Sequence, residues 1–247
     1  MRRLVISDIH GGYKALMQVL KKAKADYDKD KLIVIGDVCD GWPEVQECFE
    51  EIMKFKNLVY ILGNHDEWAR TYYNTGTEPT GWYGQGGKAT LEAFEDNMPI
   101  EINKLLNEAP GYYVEDNIAF VHGGFDTDID LDKHGLTHLI WDRDLMYEAI
   151  HKEAMHKAHG HEAKISKYDK IFIGHTPTLN WDDVKVPITK CELTLIDTGA
   201  SYYGPLTLMD IDSMKFWQSD PVNTFYPGIK ARGHYRTPPN VKVNFVN

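Results

Sequence analysis

The stretch KLIVIGDVCDGW, residues 31 to 42, joins a run of apolar residues to two carboxylates. Leu32 to Ile35 has the length and the β-branched content of a buried strand. Asp37 and Asp40 follow this strand three residues apart, and burying such charges is costly unless a partner holds them. The stretch therefore predicts a fold in which the ends of buried strands carry the chemistry.

Strand and helix patterns alternate around this stretch. Leu4 to Ser7 and Leu58 to Leu62 are predicted strands, and apolar residues at helical spacing predict helices over 13–25 and 45–53. This βαβαβ order favours a parallel sheet with right-handed crossovers. The second half changes to short strands, beginning with a hairpin that turns at Asp116-Asn117. The sequence thus predicts an α/β protein with a parallel half and a more antiparallel half.

Length and charge limit the classes of protein that fit. A chain of 247 residues can form a single domain with a full core, so one domain over 1–247 is predicted. The net charge of −10 argues against general nucleic-acid binding. Residues 221–247 carry +4, whereas the remainder carries −14. We expect this basic segment to complement an acidic surface, with substrate binding as the alternative.

Neither a membrane segment nor a disulfide framework is indicated. No apolar run approaches the length of a membrane span, and the apolar part of residues 1–8 is too short for a signal-peptide core. Cys39, Cys48 and Cys191 are odd in number and have no CxxC spacing, which favours a reduced, cytoplasmic protein. The oligomeric state is not indicated.

Five predicted strand ends finish in residue types that bind metals. The motifs SDIHG, GDVCD, GNHD, VHGG and GHTP offer Asp8, His10, Asp37, Asp40, Asn64, His65, His122 and His175. Ligands of open α/β sheets gather beyond the carboxyl ends of the strands, so these side chains are expected to converge. Asp8 and His10 are two residues apart on a chain predicted to be extended, and should face the same side.

Such a cluster needs a cationic partner, because unpaired buried charge is costly. A pair of divalent cations would supply it, and mixed oxygen and nitrogen ligands suit Mn, Fe or Zn better than Ca or Mg. The Gly- and Thr-rich segment 74–90 is interpreted as an excursion over the sheet. Its Trp82 and Tyr83 either line the mouth of the site or are buried beneath the segment.

The order DxH, GDxxD, GNH[DE], HGG, GH resembles that of the calcineurin-like metallophosphoesterases, especially the phosphoprotein phosphatase branch and its bacteriophage lambda-type serine/threonine phosphatases. The likeness covers residues 3–211, leaving a basic extension over 213–247, and includes LIWDRD at 139–144 and LIDTGASYYGPLTL at 195–208. It implies an α/β sandwich of two mixed β-sheets flanked by helices. It also implies hydrolysis of a phosphomonoester by in-line attack of a hydroxide that bridges two metal ions.

The resemblance also implies individual roles. One metal ion would be bound by Asp8, His10 and Asp37, and the second by Asp37, Asn64, His122 and His175. His65, oriented by Asp40, would protonate the leaving alkoxide. Arg143 and Asn64 would bind the substrate phosphate. Gly41 stands where the phosphoprotein phosphatases usually have another phosphate-binding arginine, so this loop lacks that guanidinium. Arg70, just after the third motif, is the candidate to supply a second one by reaching across.

The predicted function is therefore a cytoplasmic, manganese-dependent phosphatase of the serine/threonine protein phosphatase type, acting on a phosphoprotein or a small phosphoester. A hydrolase of nucleotides or dinucleoside polyphosphates is the alternative, which Asp66 in GNHD and the glycine at position 41 leave open. A non-catalytic binding protein of the same fold is a further alternative, and the full set of ligand and acid residues argues against it. No membrane partner is expected.

Overall fold

The computed structural model describes residues 1–95, 97–160, 162–230 and Arg232. Within these residues the strands are β1 Arg3–Ile6, β2 Lys31–Ile35, β3 Asn57–Ile61, β4 Tyr112–Glu115, β5 Ile118–Val121, β6 Lys170–Ile173, β7 Ile188–Lys190, β8 Leu193–Leu195, β9 Pro205–Asp210 and β10 Phe216–Pro221. The α-helices are α1 Tyr13–Ala23, α2 Val45–Ile52, α3 Asn64–Thr75, α4 Gly87–Phe94, α5 Ile100–Glu108, α6 Leu136–Trp141 and α7 Asp144–His159.

The strands form two mixed sheets. One has the order β10-β9-β1-β2-β3. In it β1, β2 and β3 are parallel to one another, and β9 pairs antiparallel with both of its neighbours, β1 and β10. The other has the order β4-β5-β6-β8-β7, in which β5, β6 and β8 are parallel. The predicted fold class is confirmed, as are the βαβαβ order and the hairpin at Asp116-Asn117, whose two residues have φ of 50° and 59°.

Alternate residues of the central strands face different cores. Val5 and Ile33 pack with Phe120 and Phe172 of the other sheet, where the two phenyl rings stack with centroids 5.4 Å apart. Their neighbours on the same strands pack against α1 and α2, and α6 and α7 cover the outer face of the second sheet. Strands buried on both faces are apolar throughout, which explains runs such as Leu32 to Ile35.

The edge strand β10 does not follow from the sequence pattern. Three of its six residues FWQSDP are exposed and the sequence lacks alternation, and its pairing with β9 is irregular between Gln218 and Pro221. Pairing with β9, with Trp217 packed against the core, keeps this segment extended. The prediction of one domain over 1–247 stays a prediction, since the basic extension is described only as far as residue 230 and at Arg232.

Candidate active site

Two groups of potential metal ligands lie at the strand ends, and Asp37 belongs to both. Asp8, His10 and Asp37 form one group, and Asp37, His122 and His175 form the other; within each group the ligand atoms lie within 4.8 Å of one another. His122 Nε2 is 3.3 Å and His10 Nε2 is 3.6 Å from the same oxygen, Asp37 Oδ2. One buried carboxylate therefore lies between two histidine-containing groups.

The histidine tautomers in this cluster follow from backbone carbonyls. His10 Nδ1 is 2.8 Å from the carbonyl of Cys39, and His122 Nδ1 is 2.8 Å from that of Ile35. A carbonyl only accepts hydrogen bonds, so each Nδ1 carries a hydrogen and each Nε2 can offer a lone pair. His175 Nε2 is buried without a hydrogen-bond partner in the described residues. These oxygen and nitrogen donors fit a pair of divalent transition cations.

The charges of the cluster perturb one another strongly. Burial, with the nearby carboxylate of Asp197, raises the pKa of Asp8 well above its usual range. Burial alone would lower the pKa of His122, but the charge and hydrogen bond of Asp37, the charge of Asp8 and the hydrogen bond to the Ile35 carbonyl together outweigh burial and raise that pKa to about 9. A cation that bound these groups would displace such protons, so metal binding at neutral pH is expected to release protons.

The backbone of the site adopts an unusual conformation at the motif residues. Asp8, His10, Asp37, Asp40 and His175 have φ of 53°, 48°, 57°, 71° and 67°, in the left-handed region that residues other than glycine seldom occupy. The prediction that Asp8 and His10 lie on an extended chain is therefore wrong. Hydrogen bonds from their N–H groups to the carbonyls of Gly36 and Asp37 curl this loop instead, and His10 Nε2 still lies 3.8 Å from Asp8 Oδ1.

Gly63 and Gly174, the glycines of the GN and GH dipeptides, each lie close to a carboxylate of the cluster. A Cβ on Gly63 would lie 2.1 Å from Asp37 Oδ1, and a Cβ on Gly174 would lie 2.3 Å from Asp8 Oδ2. Any side chain at either position would therefore displace a carboxylate of the cluster. These two glycines are part of the site because the absence of a side chain leaves room for the carboxylates of Asp37 and Asp8.

His65 and Asp40 form a buried pair beside the cluster. His65 Nδ1 is 2.6 Å from Asp40 Oδ2, and His65 Nε2 is buried without a partner in the described residues. The same carboxylate accepts hydrogen bonds from Trp82 Nε1 at 2.9 Å and from Thr90 Oγ1 at 2.6 Å. Burial raises the pKa of Asp40 well above its usual range, and the bonds from Thr90 and Trp82 oppose that rise. Trp82 is thus buried beneath its segment and also contacts the site.

Replacing Trp82 with phenylalanine tests this contact. The variant keeps an aromatic ring, a phenyl in place of the indole, but removes the N–H donor. The pKa of Asp40 should therefore rise, and its carboxylate should lose the hydrogen bond from His65 at a higher pH. We expect kcat to fall about tenfold and the acid limb of the pH–rate profile to move to higher pH. Trp181→Phe, which changes a buried tryptophan of the core under α7, is the matched control. A wild-type profile for Trp82→Phe would contradict this role.

Asp66 joins the loops that follow β2 and β3. Its fully buried carboxylate accepts the backbone N–H groups of Asp37, Val38, Cys39 and Gly63 at 2.7 to 3.1 Å, as well as the hydroxyl of Tyr60 at 2.8 Å. The side chain therefore holds the backbone that carries the candidate ligands. The sequence offers one signal for it, an acidic residue three positions after Gly63 at the beginning of α3.

Replacing Asp66 with alanine is expected to destabilise the protein by about 4 kcal/mol or more. Four buried N–H groups lose their acceptor, and each unsatisfied group costs about 1–3 kcal/mol. Urea denaturation followed by circular dichroism measures the loss, and Tyr60→Phe, which removes one donor and keeps the other four, should cost about 1 kcal/mol. An Asp66→Ala protein within 1 kcal/mol of wild type would show that water replaces the carboxylate.

Arg143 and two tryptophans line the side of the site near His175. Arg143 Nη1 donates to Thr176 Oγ1 at 2.8 Å and to the carbonyl of His175 at 3.3 Å. Burial, and next the charge of Arg232, lower the pKa of Arg143.

Trp141 packs edge-on against His175, with ring centroids 5.7 Å apart. Trp68 lies 5.1 Å from Trp141 and 4.9 Å from the ring of His65. Trp68 and Trp141 therefore form an aromatic surface beside the buried pair of His65 and Asp40.

Arg232 contacts the site from the basic segment. Its Nη1 is 3.2 Å from His10 Nε2, although 222 residues separate them. The charge of Arg232 also opposes the raised pKa values of Asp40 and Asp197, so this side chain lies among acidic groups of the site. The expectation that the segment as a whole complements an acidic surface stays a prediction. This contact could not have been predicted from the sequence, because Arg232 lies far from His10 in the chain and belongs to no recognised motif.

The chain is similar to proteins of one family. The family model described as calcineurin-like phosphoesterase matches residues 1–215. Serine/threonine-protein phosphatase 1 of Salmonella typhimurium is 25% identical over 215 residues, which cover 84% of this chain and 90% of that protein. The asymmetrical bis(5'-nucleosyl)-tetraphosphatase PrpE of Halalkalibacterium halodurans is 28% identical over 150 residues, covering 53% of this chain and 60% of that protein.

A solved structure shares the fold. That of a protein serine/threonine phosphatase from Saccharomyces cerevisiae superposes with a TM-score of 0.59 and 13% identity, covering 95% of this chain and 84% of that one. Among the described residues, no helix is both long and apolar enough to cross a membrane.

Proposed function

This chain belongs to the calcineurin-like phosphoesterase family, and on that premise we propose that it is a phosphatase that holds two divalent cations at its strand ends. The observation that carries the proposal is the pair of ligand groups that share Asp37. A single carboxylate between two groups of nitrogen and oxygen donors is the arrangement expected for two cations a few ångströms apart.

The two cations would be held by different side chains. Asp8, His10 and Asp37 would bind one of them. The second would be bound by Asp37, His122, His175 and Asn64, whose Oδ1 lies 3.1 Å from His122 Nε2. When bound, such a pair, for which manganese is our candidate, would lower the pKa of water and stabilise charge at phosphorus. The Nε2 of His175, which has no hydrogen-bond partner among the described residues, supports this assignment.

The other side chains would manage protons and the phosphate. Burial and the charge of Arg232 lower the pKa of His65 in the free protein. With the negative phosphate bound beside it, His65 would take up on Nε2 the proton that the leaving oxygen receives, while Asp40 accepts the hydrogen bond from Nδ1 and fixes the orientation of the ring. Arg143 would bind oxygens of the phosphate, aided by Asn64, since a guanidinium pairs well with such oxygens. Its bonds to Thr176 and the carbonyl of His175 hold the guanidinium beside the cluster.

Our first candidate substrate is a serine/threonine phosphoprotein. In support of it, the serine/threonine-protein phosphatase of Salmonella matches over nearly its whole length, and the order of the motifs favours the phosphoprotein phosphatase branch with its lambda-type members. A phosphomonoester in an exposed peptide also needs little room beyond the phosphate.

A dinucleoside polyphosphate is the second candidate. The similarity to the tetraphosphatase PrpE supports it, although that match spans only 60% of the relative. Trp68 and Trp141 also support it, because aromatic faces beside a phosphate site can stack on a nucleobase.

A direct comparison of substrates tests the proposal. Manganese-loaded protein is incubated with a phosphoserine peptide or with diadenosine tetraphosphate, and products are separated by chromatography. We expect inorganic phosphate from the peptide at the higher kcat/KM. Faster cleavage of the dinucleotide, with a loss specific to that substrate in Trp68→Ala, would favour the second candidate. No turnover of either substrate would refute the proposed function.

A further inference from the structure

The guanidinium of Arg232 lies in the candidate active site with weak partners. Its Nη1 is 3.2 Å from His10 Nε2, and its Nη2 is 3.5 Å from Gln85 Oε1, at the limit of a hydrogen bond. The central guanidinium carbon, Cζ of Arg232, lies 5.8 Å from the ring centroid of Tyr202, within the range of a cation–π contact. In the described residues Arg232 forms no ion pair with a carboxylate.

The Nε of Arg232 is buried and has no hydrogen-bond partner in the part of the chain that the structure describes. A guanidinium carries five N–H donors in a planar fork, and leaving a buried donor unpaired is costly. Donors with such poor acceptors are able to receive an anion with several oxygens. The site already proposed for phosphate lies next to them.

Gly86 makes room for the Arg232 side chain beside the loop of Gly41. A Cβ on Gly86 would lie 2.9 Å from Arg232 Cγ and 2.8 Å from the amide nitrogen of Gly41. Gly41 has φ of 87°, and a Cβ there would lie 3.1 Å from His10 Cβ, so a side chain at position 41 would be strained. The loop that lacks an arginine of its own is thus the loop beside which Arg232 passes.

A second guanidinium lies within electrostatic range. Arg143 is bound near His175, in one ligand group, whereas Arg232 contacts His10, in the other. The charge of Arg232 contributes to the lowered pKa of Arg143, so the two cations repel each other. An anion bound between two like charges in a partly buried site reduces the repulsion between them.

We propose that Arg232 binds the substrate phosphate together with Arg143 and supplies the guanidinium that position 41 lacks. The proposal rests on the proposed phosphatase function. His10 Nε2 has one lone pair, so a metal ion on His10 would release Arg232 Nη1. The freed donors then bind phosphate oxygens.

The test compares Arg232→Ala, Arg232→Lys and the control Lys230→Ala, which removes a charge from the same segment. Inorganic phosphate is titrated into each manganese-loaded protein by calorimetry, and manganese affinity is measured in parallel. We expect about tenfold weaker phosphate binding for Arg232→Ala, an intermediate loss for Arg232→Lys, and wild-type binding for Lys230→Ala. Manganese affinity should stay the same or increase, since Arg232 competes for His10.

Kinetics with a phosphoserine peptide provide a second measurement. KM should rise about tenfold in Arg232→Ala, with a smaller change in kcat. Unchanged phosphate affinity, or a higher kcat/KM than wild type, would overturn the proposal; the latter would mean that Arg232 blocks the site. If wild type lacked turnover, the phosphatase function would fail, and weaker phosphate binding by Arg232→Ala would still support an anion-binding role.

Discussion

Replacing Asp37 with asparagine is expected to remove both metal ions and to lower kcat/KM by on the order of 10³-fold or more. Asp37 is the one residue common to the two ligand groups, and its Oδ2 lies 3.3 and 3.6 Å from two histidine nitrogens. Asparagine keeps an oxygen that can accept the N–H of His65, a bond of 2.9 Å in the structure, so the loop should fold normally. Atomic absorption gives the manganese content per chain.

His175→Asn is the matched comparison, because His175 belongs to one group only. That variant should retain about one manganese ion per chain, whereas Asp37→Asn should retain neither at the same free concentration. Circular dichroism of both proteins checks that the fold is intact. An Asp37→Asn protein with two bound ions would show that the two groups do not share this carboxylate as a bridge.

Replacing His65 with asparagine should lower kcat by on the order of 10³-fold for a substrate with a poor leaving group, such as phenyl phosphate or a phosphoserine peptide. His65 is a buried imidazole whose Nδ1 is hydrogen-bonded to Asp40 and whose Nε2 has no partner in the part of the chain that the structure describes. An alkoxide needs a proton as it leaves, whereas p-nitrophenolate does not. The loss with p-nitrophenyl phosphate should therefore be much smaller, about tenfold.

Dependence on the leaving group distinguishes proton donation from general damage to the site. Manganese content should remain at the wild-type value, since His65 is in neither ligand group. His151→Asn, on the exposed face of α7, is the control and should match wild type. Equal losses with phenyl and p-nitrophenyl phosphate would indicate that His65 does not act as the acid.

The sequence predicts the architecture well because the central strands are buried on both faces. Continuous apolar runs such as Leu32 to Ile35 identify these strands, and helical spacing between them implies parallel order. Parallel order then predicts that motifs at the carboxyl ends will meet, as Asp37 and His122 do. The same reasoning does not predict β10, because an edge strand that is partly exposed needs no apolar pattern.

The neighbourhood of the candidate ligands was harder to predict. Asp8 and His10 face each other as expected, but through left-handed backbone that depends on hydrogen bonds to the next loop. Trp82 lies in a segment without periodicity, and only the fold brings its N–H to Asp40. Arg232 is 222 residues from its partner. Long-range contacts of this kind have no local signature.

The carboxylate of Asp66 also has a dynamic consequence. It binds amides from the loops after β2 and β3, so neither loop can open without breaking bonds of the other. Deuterium should therefore enter the amides of Asp37, Val38, Cys39 and Gly63 at correlated rates, as one cooperative unit. Thermal opening would then disassemble the candidate site in a single event instead of ligand by ligand.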